Sequence, residues 1–410
     1  LSPPRDVSGR APTRSDPGIA EFVTLMALLM SMVALSTDAI LPALPAMAAT
    51  LGLTGENRAQ LVVGTLFFGL AIGQMIYGPL SDAIGRKPAI NIGIAIFMVG
   101  CLFSAFATTF AAMLLGRALQ GLGAAGPRIV TVALVRDRFE GRAMARVISL
   151  VMMVFILVPA IAPMIGQGIL FAASWRAIYI VFLTLAVVAF VWLRLRQPET
   201  LPSERRRALS WGSIWRELLE ICGNRVAFGY TLAAGMIFGA FVGYLTSAQQ
   251  IFQVLYDLKE LFPLFFGVLA LAIGAAAVVN ARLVMRHGMR RLSSWALRGV
   301  CLLSLGFVVV AILYDGVPPL WGLMAYLLVV FFCIGMLFAN FNALAMEPLG
   351  HIAGMGAAVV GSVTTFVSLA AGTLIGQAYN ETVLPLVSGF TLLGFMALAT
   401  MTWIEQTRRR

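Results

Sequence analysis

Apolar residues in this chain cluster in long unbroken runs, with neither the period of a surface helix nor the alternation of a strand. Twelve runs recur, near residues 21–47, 59–80, 89–109, 111–134, 145–172, 175–194, 227–250, 262–284, 293–314, 320–344, 354–378 and 383–404. Each supplies the roughly 20 apolar residues that carry a helix across a hydrocarbon core about 30 Å thick. The pattern predicts an all-α integral membrane protein with twelve transmembrane helices, numbered here as spans 1–12. One break is long, 195–226, and includes an amphipathic stretch around Trp211–Ile221. It divides the chain into six spans and six, giving a first bundle over 19–194, a linker over 195–226 that reads as a solvated connector with a surface helix, and a second bundle over 227–404. The ends, 1–18 with four prolines and three arginines and the basic 405–410, read as tails, the first of them disordered.

Composition agrees: 60% of the 410 residues are hydrophobic, 11% are charged, and mean hydropathy is +0.92, far from the balance of a soluble domain. The net charge of +11 forms no nucleic-acid-binding face, because the charges sit between apolar runs. Of 29 lysines and arginines, 24 fall in the two tails and the even-numbered loops, and three (Arg58, Arg176, Lys259) in the odd ones. Positive charge stays on the cytoplasmic side, so both termini and the even loops are expected in the cytoplasm, and the chain in a bacterial inner membrane. A secretory-signal reading, with Ala46-Met47-Ala48 as the cleavage site, fits poorly: the first run exceeds a signal core of about 7–15 residues and contains an acid and two prolines.

That acid is the strongest chemical signal. Asp38, in Ser36-Thr37-Asp38-Ala39-Ile40-Leu41-Pro42-Ala43-Leu44-Pro45, is alone among acids in lying well inside an apolar run. An ionisable group at that depth costs several kcal/mol and marks an ion or substrate pathway. Its other reading is a helix-end acid that hydrogen-bonds backbone, which a neutral residue would do more cheaply. Arg117, inside span 4, is its natural partner, since an intramembrane cation needs an anion or a cage of carbonyls. Arg128 lies eleven residues further, about 20° off the same face, so Arg117, Arg128 and small residues share a stripe. Small residues also serve close helix packing, as do the pairs Gly69/Gly73 and Gly372/Gly376.

Four well-separated cysteines and two histidines form no metal cluster, and no cofactor is expected. The turn after span 2, Gly78-Pro79-Leu80-Ser81-Asp82-Ala83-Ile84-Gly85-Arg86-Lys87-Pro88, has a counterpart after span 8, Asn280 to Arg291, with Gly288 at the bend. Short basic turns at matching places are the mark of a duplicated transporter.

The first of these turns resembles the signature loop of the major facilitator superfamily, G-x-L-x-D-x-x-G-R-[KR]-P, with Gly78, Leu80, Asp82, Gly85, Arg86, Lys87 and Pro88 all matching. In span 4, Arg117 and Gln120-Gly121-x-Gly123-Ala124-Ala125 resemble its second signature. In span 5, Pro159, Pro163 and Gly166 resemble the kinked antiporter signature of drug exporters, G-x-x-x-G-P-x-x-G-G, which Val158, Ala162 and Gln167 depart from. Asp38-x-x-Leu41-Pro42-x-x-Pro45, Val135-Arg136-Asp137-x-Phe139, Pro159-x-x-Ala162-Pro163-x-x-Gly166 and Trp175-Arg176-x-Ile178-Tyr179 resemble one branch, the Bcr/CflA-type drug-resistance transporters, which export bicyclomycin, chloramphenicol or florfenicol. The resemblance covers about 20–404 and implies two pseudo-symmetric six-helix bundles that alternate access to a central site. It implies proton-coupled efflux, with Asp38 binding a proton or cationic substrate and Arg117 responding to its charge. It makes Gly78, Asp82, Gly85, Arg86 and Lys87 a cytoplasmic gating loop.

Gln120, Tyr230, Tyr244, Asn340 and Thr365 are candidates to line a broad, mainly apolar substrate cavity, although packing or interfacial anchoring explains each alone. Glu347, at the end of span 10, reads as solvated. The expected partners are a small molecule, protons and the bilayer, with no nucleic acid, and the working unit a monomer. A transporter of a metabolite shares the fold and the acid, differing in substrate and direction; the span 5 signature favours export. An enzyme or receptor is disfavoured, because no metal cluster, nucleophile motif or phosphate-cradling loop is present.

Overall fold

The computed structural model describes residues 18–55, 57–206 and 211–408. The expected tail over 1–18 lies, apart from Gly18, outside them. Among the described residues there are helices and turns and no strand. Twelve helices are long and apolar enough to cross a membrane: Ile19–Thr50, Arg58–Ile84, Arg86–Ala105, Phe110–Arg138, Gly141–Ala172, Arg176–Arg196, Arg225–Leu255, Phe262–His287, Met289–Leu313, Leu320–Ile352, Gly354–Gln377 and Leu384–Gln406. These are spans 1–12, each on one of the apolar runs.

The spans pack as two bundles with one plan. In the first, span 1 packs on spans 4, 5 and 6, span 4 on spans 2 and 3, and span 3 on span 6. Adding six to every number gives the packing of the second: span 7 on spans 10, 11 and 12, span 10 on spans 8 and 9, and span 9 on span 12. The bundles meet through spans 2 and 11 and spans 5 and 8, which the same shift exchanges. The repeat reaches single residues. Gly85 and Gly288, the bends of the two matching turns, have φ of 107° and 78°, a region open to glycine at little cost. Each precedes the first residue of a helix, Arg86 or Met289.

Close approach of small residues holds the first bundle together. A methyl group added to Gly69 would lie 1.9 Å from the Ala118 carbonyl oxygen, and one on Gly121 would lie 1.9 Å from that of Leu66, so spans 2 and 4 cross backbone to backbone. Gly372 and Gly376 likewise receive Val242 and Thr246 of span 7.

The face holding the span 2–3 and span 8–9 turns is called the basic face. There Arg86 bonds Asp82, Ser81 (2.8 Å) and Asp137 at the end of span 4 (2.9 Å). The linker is less solvated than expected. Its Glu199 accepts the backbone amides of Arg86 and Lys87 at 3.0 Å, where carboxylate charge favours a helix start. The expected surface helix forms at Trp211–Gly223, and its Glu220 meets His351 at 2.6 Å. Glu347 is exposed, as expected, but paired with Arg290.

Candidate substrate and proton site

Span 1 is broken beside its acid. The helix Ile19–Asp38 ends at Asp38, a turn follows, and a short 3-10 turn, Leu41–Ala43, leads into the helix Leu44–Thr50. The cause is local: Pro42 has no amide to offer the Asp38 carbonyl four residues back. Irregular backbone at this depth is tolerated where it is enclosed by protein or lines a cavity. Spans 5 and 7 flank the 3-10 turn.

Asp38 is 5% exposed. Its carboxyl makes no hydrogen bond or ion pair among the described residues, Arg117 included. Arg117, wholly buried, sits instead in the alternative arrangement, a cage of oxygens. Its Nε donates to the Val62 carbonyl (3.1 Å), Nη2 to the Ser36 carbonyl (2.9 Å) and Nη1 to Gln120 Oε1 (2.6 Å). Gln120 in turn donates to the Gly100 carbonyl and Ser104. The physical reason lies in the break: Ser36, two residues before Asp38, has a carbonyl near the helix end that the guanidinium takes. Arg117 therefore ties span 4 to spans 1 and 2, and Gln120 positions Arg117 rather than lining a cavity. Arg128 is half-buried and forms no ion pair among the described residues.

From the second bundle, span 7, which flanks the turn after Asp38, carries Tyr244. Tyr244 is 1% exposed, and its hydroxyl has no hydrogen-bond partner among the described residues. Phe331 and Phe266 pack on its ring, with centroids 4.8 and 5.6 Å away. Buried polar groups normally find partners; here, among the described residues, a carboxyl of span 1 and a phenol of span 7 lack them. The other candidates sit elsewhere. Tyr230 donates to Glu405 (2.6 Å) inside the second bundle. Asn340 exchanges two hydrogen bonds with Asn280, at 2.9 and 3.0 Å. Thr365 accepts from Gln74 (2.8 Å) across the span 2–11 seam.

Span 5 runs unbroken through Pro159 and Pro163, and its Gly166 presses on the break in span 1: a methyl there would be 1.8 Å from the Ala39 carbonyl oxygen.

Beyond the break, on the face opposite the basic one, both bundles line a cleft of about 240 Å³ that includes Leu44, Pro45, Gln249 and Tyr379. Asn57, which the sequence did not single out, bridges the bundles beside it. Its side-chain amide donates to the carbonyls of Gln377 and Tyr379, both at 2.9 Å, while its oxygen and backbone carbonyl accept from Gln250 and Gln377. Asn57→Ala removes three of these bonds, each worth about 1 kcal/mol, and is expected to favour opening of this face roughly a hundredfold. In a Cys222→Ser background, the maleimide labelling rate of Ala48→Cys on the cleft wall should rise accordingly. An unchanged rate would show that the bridge does not hold this face closed. A short polar loop gave no sign of this role. The amide of Gln74, inside apolar span 2, was a readable sign of a cross-helix bond.

The arrangement is that of a carrier: two matching bundles, a broken helix at their junction and an unpaired acid in the break. The Major Facilitator Superfamily model matches residues 26–373. The chain belongs to the Major Facilitator Superfamily. It is a multi-pass membrane protein of a transporter family whose members carry small molecules, usually with protons. As a facilitator it is similar to a bicyclomycin resistance protein homolog from Haemophilus influenzae, 27% identical over 95% of this chain and 96% of the relative. It is also similar to a chloramphenicol resistance protein from Pseudomonas aeruginosa, 29% identical over 88% and 83%. A crystal structure of a D-xylose-proton symporter superposes with a TM-score of 0.74 at 14% identity, over 93% and 97% of the two chains, which shows a shared fold. The resemblance read from the Asp38 and span 5 motifs thus reaches relatives named for drug resistance.

Proposed function

We propose that this facilitator exports amphipathic drug-like molecules from the bacterial cytoplasm in exchange for protons, with the basic face and both termini in the cytoplasm. The observation that carries the reading is the buried Asp38 carboxyl at the break in span 1, without a partner among the described residues, with the equally unpartnered Tyr244 hydroxyl on span 7, which flanks that break. A lone carboxylate away from water needs a counter-charge. Arg117 is turned to three oxygens and not to Asp38, so the carboxyl is neutralised by a proton or by the cationic group of a ligand. One group serving both in turn is an exchange device: binding the ligand releases the proton, and reprotonation releases the ligand. The aromatic wall around Tyr244 suits an apolar body and the phenol a polar one. Arg117, by holding the Ser36 carbonyl, keeps the acid in place through the cycle.

Exchange of one proton for a monovalent cation moves no net charge and runs on the pH difference alone. Exchange for a neutral molecule moves one charge and draws a further ~2.3 kcal/mol per 100 mV. The test is proton flux in inverted vesicles holding a preformed pH gradient, with phenicols, bicyclomycin, cationic dyes, sugars and amino acids added singly. Collapse of the gradient by amphipathic drugs is the expected result. Collapse by a sugar or amino acid alone would turn the reading to metabolite transport.

A further inference from the structure

A cavity lies away from the bundle junction, on the outer side of the second bundle at the basic face. It measures about 620 Å³ and runs between the start of span 9 and the end of span 12. Three arginines line it, and they are not equivalent. Arg290 is occupied by Glu347 and, at 3.2 Å, by Glu405. Arg291 lies over the Trp295 ring, 5.3 Å from its centroid. Arg298 has no hydrogen bond or ion pair among the described residues, although it stands more than two turns into span 9, where the helix becomes apolar and a charge favours a partner.

Arg291, Ser294 and Arg298 fall at i, i+3 and i+7, so they form one stripe on span 9, a hydroxyl between two guanidinium groups about 10 Å apart along the axis. Below them the stripe turns wholly apolar and exposed: Leu302 is 68% and Leu305 47% accessible, with Phe395 of span 12 at 42%. Trp295, 48% exposed, is the residue type that sits at headgroup level. Two cations at the level of an interfacial aromatic, with an apolar shelf beneath, reproduce the order of a phospholipid from headgroup to chain. A soluble anion would have no use for the shelf.

We propose that this groove binds an anionic glycerophospholipid of the adjoining leaflet, its phosphate bridged by Arg291 and Arg298 and an acyl chain laid along Leu302 and Leu305. Guanidinium forks match phosphate oxygens in geometry as well as charge, and basic pockets between spanning helices take such headgroups. The bound lipid supplies the counter-charge that Arg298 lacks among the described residues.

The experiment is native mass spectrometry of the full chain released from nanodiscs containing equal phosphatidylglycerol and phosphatidylethanolamine with matched chains. Wild type should retain phosphatidylglycerol preferentially. Arg291→Gln/Arg298→Gln should lower that preference about thirtyfold, at roughly 1 kcal/mol per cation. Arg142→Gln/Arg146→Gln, an equal charge change at exposed sites on the first bundle, should leave it unchanged. Arg291 and Arg298 are both exposed, so the variant should fold; a monodisperse elution profile checks this. No headgroup preference in wild type, equal preference in the double variant, or a matching loss in the control pair would overturn the proposal. So would inorganic phosphate displacing the lipid without loss of fold, which would mark a site for soluble anions.

Discussion

Asp38→Asn is expected to abolish drug-driven proton flux while leaving the folded protein intact. The two halves of that outcome have separate causes. Asparagine has nearly the shape of aspartic acid, and the carboxyl it replaces makes no hydrogen bond or ion pair among the described residues, so no partner is orphaned. The Arg117 cage, built on the carbonyls of Val62 and Ser36 and on Gln120, does not include the Asp38 side chain and survives. What is lost is the one group at the junction able to alternate between a proton and a cation. In inverted vesicles, the gradient collapse produced by a transported drug should fall at least about tenfold, more than 1.4 kcal/mol of coupling, with a melting temperature close to that of wild type. An unfolded variant would instead mean that Asp38 supports the break in span 1. Undiminished coupling by a stable variant would remove Asp38 from the proton path.

The same residue marks what could and could not be seen in the sequence. An acid and two prolines late in an apolar run predict a special site, because the cost of burying charge and the missing proline amide are local properties. The twelve spans, the paired basic turns and the glycines at their bends were legible for the same reason. Partner choice was not. Arg117 has the right type and depth to meet Asp38, yet the carbonyl exposed near the helix end claims it first. Tyr230 and Asn340 are the kinds of residue that line a cavity, but Glu405 and Asn280 bind them within the second bundle. Asn57 carries the bridge on the opposite face from a loop with no motif at all. Each outcome depends on how spans distant in sequence meet, and a single chain read in order does not contain that information. The Arg291, Ser294 and Arg298 stripe does follow helical spacing, but its meaning depends on Arg290 being neutralised and on Arg298 facing outward.

Gly166→Ala should be among the most damaging single-methyl changes in the chain. The added carbon would lie 1.8 Å from the Ala39 carbonyl oxygen and 2.8 Å from its carbonyl carbon, and both are backbone atoms that cannot swing aside. Span 5 must therefore retreat from the break, or the break must close up. Overpacking of this kind costs about 1–3 kcal/mol or more. The displacement also falls on the residue next to Asp38, so coupling should fail together with stability. Gly168, two residues along the same helix, is the control, with nothing within 4 Å of an added methyl group. There alanine should be neutral or gain up to about 1 kcal/mol from helix propensity. A clearly lower melting temperature and reduced drug-driven proton flux for Gly166→Ala, beside unchanged values for Gly168→Ala, would tie the span 5 signature to the shape of the site. Equal behaviour of the two variants would mean that the contact between Gly166 and Ala39 yields freely, and that the glycine serves neither the fold nor the transport cycle.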